Sequence, residues 1–165
     1  MDTQVYLRKP REEDVEKMFE ILENSLSQYL RVNDIASKTN RLIVNRDIVE
    51  EYVENVDYLC IVALVDSEIA GWIAGSEKSN ILSGHGCSLG EFYIEEIVVD
   101  SRYRRRGVGS YLLSKIPMDN LKSIVVDTPL INQHAIAFYE HSGFVKVNGL
   151  PEGFSKNWTR MSKMV

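Results

Sequence analysis

Arg104-Arg105-Arg106-Gly107-Val108-Gly109-Ser110 follows the apolar run Ile97-Val98-Val99 and opens a helical pattern carried by Val108, Tyr111, Leu112, Leu113 and Ile116. A buried strand, a short turn over residues 100–103 and glycines at the mouth of a helix present unpaired backbone N–H groups at the positive end of the helix dipole. Such a place suits a phosphate. A side chain at Gly107 or Gly109 would hold the backbone away from the anion, and the three arginines add charge without demanding one rotamer. Taken alone, the fragment reads equally as a basic turn before an ordinary helix.

Two phosphate motifs do not fit. A nucleotide-triphosphate loop needs Lys and then Ser or Thr directly after its second glycine, whereas Gly109 is followed by Ser110-Tyr111. A dinucleotide fingerprint needs three glycines in a wider spacing and an acidic residue about 20 positions on. What remains, Arg-x-x-Gly-x-Gly after a strand, resembles the pyrophosphate-binding signature of the GNAT superfamily of acyl-CoA-dependent N-acetyltransferases. A second stretch, Asn132-Gln133-His134-Ala135-Ile136-Ala137-Phe138-Tyr139 with Gly143-Phe144 beyond it, is similar to that family's other signature, and the two occur in the family's order.

The resemblance implies an α/β fold: a mixed sheet of about seven strands, splayed between the fourth and fifth and flanked by about four helices, with residues 1–165 as a single N-acetyltransferase domain. It implies acetyl-CoA as cofactor. The backbone of Ile97, Val98 and Val99 would pair with the pantetheine arm like an added strand. Arg104, Arg105, Arg106, Gly107, Val108, Gly109 and Ser110 would hold the pyrophosphate, with a further cofactor contact from Asn132. Tyr139 would sit near the thioester sulfur.

Composition agrees with one compact domain: 165 residues at 44% hydrophobic suffice for a real core. A net charge of −5 argues against nonspecific nucleic-acid binding and favours cationic acceptors only weakly, since a modest negative charge more often serves solubility. Only Cys60 and Cys87 are present, one in an apolar run and one in a polar loop, so no disulfide framework is implied. No apolar run approaches the roughly 18 residues that cross a bilayer, and Met1-Asp2-Thr3-Gln4 has no basic-then-apolar leader; the expectation is a cytoplasmic protein without a membrane partner.

In chain order, residues 5–8 alternate as a strand that Pro10 ends. Val15, Met18, Phe19 and Leu22 mark one face of a helix, which Leu26, Tyr29 and Leu30 could extend. Residues 33–45 show no clean period. A second helix starts near Asp47, read as its N-cap, with Val49, Tyr52, Val53 and Val56 on one face. Residues 58–65 and 69–76 form a hairpin turned by Asp66-Ser67, a long polar loop fills 77–90, and 92–99 is the strand that feeds the arginine turn. The helix after the turn stops near Ile116, before Pro117. Residues 124–126 are a buried strand; Asn132 caps the fourth helix and Gly143 closes it; residues 144–147 and 158–164 are the last strands.

Acetyl transfer from a thioester to an amine requires a proton taken from the ammonium and one given to the departing thiolate. The resemblance makes Tyr139 the general acid. For the base it offers Glu95, in a Tyr-x-Glu context like that of polyamine acetyltransferases of the superfamily, and Asp127, where its protein N-terminal acetyltransferases carry an acidic residue. Glu96 is the third candidate; neighbours on a strand face opposite ways, so Glu95 and Glu96 point to one site together only across a bulge. His85, His134 and His141 match no zinc spacing, so no metal is expected; His85, between glycines in the polar loop, is a minor candidate for lining an acceptor pocket.

The reading is an N-acetyltransferase acting on a primary amine, either a small polyamine or amino compound or a protein N-terminus, by direct attack in a ternary complex. The alternative is a catalytically silent acyl-CoA-binding sensor, and a third option is a non-enzymatic module whose arginines dock an acidic partner. The resemblance also admits a homodimer.

Overall fold

A computed structural model of the chain describes residues 4–33, 45–77, 88–148 and 157–165. Seven strands and four α-helices follow in the order β1 (Val5–Arg8), α1 (Val15–Asn33), α2 (Arg46–Glu54), β2 (Leu59–Val65), β3 (Glu68–Ser76), β4 (Glu91–Val99), α3 (Val108–Leu113), β5 (Ser123–Pro129), α4 (Gln133–His141), β6 (Val145–Val147) and β7 (Trp158–Met164). The strand order is β1-β2-β3-β4-β5-β7-β6, mixed because β4 and β5 run parallel while β1/β2, β5/β7 and β6/β7 are antiparallel. This is the architecture expected from the sequence.

The splay is visible in the register. Parallel pairing of β4 with β5 runs from Glu91↔Ser123 to Ile94↔Val126, whereas β4 continues to Val99 and β5 to Pro129.

The chain divides into two compact units, Met1–Ala74 with Glu96–Ile116, and Gly75–Glu95 with Pro117–Val165. In the first, Val15, Met18, Ile21 and Leu22 of α1 pack with Val49 and Tyr52 of α2 and with Trp72 and Val98. The wholly buried Trp72 donates its indole N–H to the Met18 carbonyl at 3.1 Å, which satisfies the one polar atom that its burial would otherwise strand. Arg46 pairs with Glu16 and Glu50, tying α2 to α1. Gly71 allows β3 to lie close to the end of β4: a Cβ there would come within 2.6 Å of the Val98 carbonyl oxygen.

In the second unit, Phe92, Ile94, Ile124, Val126, Ile136, Phe144 and Met161 are buried. The Asn132 side chain caps α4 by accepting from the Ala135 N–H at 3.2 Å, and Gly143, at φ +89°, takes the left-handed position beyond the helix.

Three local expectations need correction. α2 is capped by Asn45, whose side chain accepts from the Asp47 N–H; both residue types cap helices, and the earlier one wins. Val56 lies past the C-cap Asn55 and is 96% exposed, so the apolar face ends at Val53. α3 ends at Leu113, earlier than Pro117 requires. Leu26 does continue α1, which runs to Asn33.

The buried Asp14 carboxylate accepts from Arg8 at 2.6 and 3.0 Å and from the Arg11 backbone N–H at 2.6 Å. The Arg8 hydrogen bonds are the main cause that holds its pKa below the usual carboxylate value. A depressed folded-state pKa contributes stability that is present above the unfolded value and lost as pH falls through the folded one. Asp14→Asn should therefore destabilise the protein by about 2 kcal/mol at pH 7, with the difference from wild type shrinking below about pH 4, in urea unfolding at both pH values.

Candidate active site

In the first unit, β4 runs into the turn that the sequence singled out. The Asp100 side chain accepts from the Arg102 N–H at 2.9 Å, and its backbone N–H donates to the Ala70 carbonyl at 2.9 Å, so the turn is anchored to β3. Arg104 donates through Nε to the Val99 carbonyl at 3.0 Å and through Nη2 to the Ser25 hydroxyl at 3.3 Å; it braces the end of β4 against α1. Arg102 forks onto Asp100 and also reaches Glu68. Arg102 and Arg106 stand over the Tyr103 ring, 5.2 and 5.7 Å from its centroid. Arg105 is exposed and holds a left-handed backbone at φ +63°.

Gly107 is the N-cap of α3 at φ +80°, and a Cβ built there meets nothing within 4 Å. The helix therefore begins at an open stretch of main chain, and its first N–H groups, which no helix can satisfy internally, belong to Val108, Gly109 and Ser110. This is a cradle that fits a phosphate. Beside it, Ile21, Asn24, Ser25, Asp100, Ser101 and Arg104 line a polar recess of about 190 Å³, smaller than the clefts that usually enclose a ligand.

In the second unit, Tyr139 is 5% exposed, and its ring packs at 5.3 Å against both Phe138 and Phe144. Asp127 sits one residue past the end of the β4/β5 ladder, with its carboxylate wholly out of solvent. It is directly opposite Arg160 in the β5/β7 register. Arg160 donates Nε to Oδ1 and Nη2 to Oδ2, both at 2.8 Å, and the Tyr93 hydroxyl donates to Oδ2 at 3.1 Å. The guanidinium carbon stands 5.9 Å from the Tyr93 ring centroid. Burial first, and then the charges of Asp127 and Glu95, push the Tyr93 phenol far above its ordinary pKa, so it stays protonated. Glu95 and Glu96 are both half-buried, and Glu95 contributes to the upward shift of Tyr93.

Of the residues expected from sequence, the structure places Glu95 and Asp127 directly after the last β4/β5 pair, Ile94↔Val126, and in the same unit Tyr139 on α4 with Asn132 as the N-cap of that helix. Glu96, Ile97, Val98, Val99 and residues 104–110 belong to the other unit. His134 and His141 are exposed on α4, while His85 and Cys87 lie outside the described residues. Sequence reasoning missed Tyr93 and Arg160. An arginine in the alternating strand 158–164 was the available signal for one of them; a tyrosine inside an apolar run offers none.

Residues 18–144 match the Acetyltransferase (GNAT) family. The chain belongs to the GNAT acetyltransferase family. Among its relatives, N-alpha-acetyltransferase 30 of Xenopus laevis is 29% identical over 138 residues, covering 72% of this chain and 49% of that one. The chain thus spans about half the length of this relative, and 37% of that of the Homo sapiens protein of the same name, to which it is 28% identical over 138 residues covering 72% of the chain. A crystal structure of Ard1 from Thermoplasma volcanium superposes with a TM-score of 0.70 at 24% identity, over 98% of this chain and 97% of that one. That likeness gives the GNAT fold and nothing finer.

A buried ion pair is costly to break from one side, because the surviving charge is left without its partner. Asp127→Ala should cost this GNAT domain about 3 kcal/mol in urea unfolding, since it strands Arg160 and the Tyr93 hydroxyl together. Tyr93→Phe, which leaves the pair intact, should cost about 1 kcal/mol. Equal losses would contradict the arrangement.

Proposed function

We propose that this GNAT domain, read as one domain over residues 1–165, transfers an acetyl group from acetyl-CoA to the N-terminal amine of a protein or peptide. The observation that carries the acceptor class is the 29% identity over 138 residues with N-alpha-acetyltransferase 30 of Xenopus laevis. The donor class follows from family membership, and the main chain at Gly107, open where a Cβ would otherwise stand, supports it.

The donor supplies an acetyl group activated as a thioester. The N–H groups of Val108, Gly109 and Ser110 receive its pyrophosphate, with Arg105 and Arg106 adding positive charge and Arg104 holding the end of β4 in place. Backbone groups of Ile97 to Val99 pair with the pantetheine arm as an additional strand would. Tyr139 donates a proton to the departing sulfur, its ring fixed by Phe138 and Phe144. Asn132 adds a cofactor contact while capping α4.

For the base we choose Glu95. A general base needs a lone pair that the incoming ammonium, or a water between them, can reach. The Asp127 carboxylate is fully buried and already accepts from Arg160 twice and from the Tyr93 hydroxyl, which suits it to a fixed ionised role and not to taking a proton from the acceptor. Glu96 is the remaining candidate, and the variant series below separates the three. No helix among the described residues is long and apolar enough to cross a membrane.

The test is acetyl transfer to a panel of free-N-terminus peptides, with polyamines and aminoglycosides as comparison, followed by thiol release and by product mass. Transfer to peptide N-termini above the small amines is expected. Tight CoA binding without transfer to any acceptor would instead identify a silent sensor. Tyr139→Phe should lower turnover by about 100-fold with little change in CoA affinity. Glu95→Gln should abolish the acid limb of the pH–rate profile while Glu96→Gln and Asp127→Asn leave one in place. Gly107→Val should weaken CoA binding at least about tenfold in calorimetric titration while costing only about 1 kcal/mol of folding stability through its left-handed backbone.

A further inference from the structure

Glu95 and Asp127 are the residues that directly follow the last parallel pair of β4 and β5, Ile94↔Val126, and Asp127 accepts from the buried Tyr93 hydroxyl at 3.1 Å. Like charges so placed resist joint ionisation unless a cation stands with them. The cation is Arg160. It faces Asp127 squarely in the antiparallel register, meets both carboxylate oxygens with a two-pronged contact, and keeps only 11% of its side chain exposed. Glu91 of β4 also acts on Arg160 and is itself held by the Ser88 N–H and the Ser123 hydroxyl. Tyr93 stays protonated and neutral, so it adds no charge of its own to the cluster.

We propose that Arg160 is a positioning residue for acetyl transfer: it cancels the charge of buried Asp127 beside Glu95 and, through Asp127, holds the Tyr93 hydroxyl at the end of the β4/β5 ladder. The inference rests on the acetyltransferase reading and on Glu95 as its base. Arg160 touches no substrate in this account. Its effect is on which carboxylate bears a proton. Without the guanidinium, an Asp127 that stays ionised acts on Glu95 uncompensated, and Glu95 then gives up its proton only at higher pH.

The experiment compares pH profiles of kcat/KM for wild type, Arg160→Met, Arg160→Lys and the double variant Arg160→Met with Asp127→Asn, using the best peptide acceptor. Carboxyl-carbon NMR titration of each protein without CoA or acceptor gives the Glu95 pKa independently of turnover. Arg160→Met should move the acid limb and the Glu95 titration upward by about one pH unit or more, so that activity lost at neutral pH returns at higher pH. Arg160→Lys, which keeps the charge, should leave both close to wild type. The double variant buries no lone charge and should also return both toward wild type, which keeps the test decisive if Arg160→Met does not fold. An acid limb unmoved in Arg160→Met, with activity reduced equally at all pH values, overturns the inference and leaves the acetyltransferase reading standing. So does a limb displaced in the double variant. A wild type that acetylates no acceptor overturns both.

Discussion

The ladder between β4 and β5 holds for four residue pairs, Glu91↔Ser123 to Ile94↔Val126, and then ends although both strands go on. In the middle of a sheet such an end is a constraint to be met, because backbone groups need partners and side chains next to the opening lose a neighbouring strand. Here the first residue beyond it on β5 is Asp127, and Arg160 of β7 closes on it from the other side. β5 is thereby held to β7 by side chains as well as backbone at the place where its pairing with β4 stops.

An apolar pair at the same positions would be expected to give equal or greater stability, because the attraction of a buried ion pair rarely exceeds the desolvation of its members by much. A carboxylate and a guanidinium in this place therefore point to a role other than stability. They fix orientation and local charge, and the Tyr93 hydroxyl extends that fixed arrangement back to β4. Such devices belong where chemistry requires one ionisation state among several close acids.

Much of this was legible in the chain. The strand, turn and glycine-opened helix around residues 97–113 could be read because each depends on local rules: an apolar run, a turn, and a glycine where φ is positive. Asn132 and Gly143 were legible for the same reason, as cap and stop of α4. Asn45 was missed because Asp47 is an equally good cap two positions later, and nothing local chooses between them. The Asp127–Arg160 contact was not legible. It depends on the register of β5 against β7, strands separated in the chain by α4 and β6, and side-chain alternation fixes a face without fixing which residues stand opposite. Tyr93 looked like a core aromatic, and by burial it is one; its polar end acquires meaning only from Asp127.

Backbone hydrogen exchange with and without CoA tests the central claim most directly, because it reads the main chain that is held to receive the cofactor. On adding CoA, amides of Ile97, Val98 and Val99 and of Val108, Gly109 and Ser110 should slow markedly, while those of β1, residues 5–8, should not. Exchange that is unchanged at both stretches under saturating CoA, or slowed evenly along the whole chain, would contradict the account.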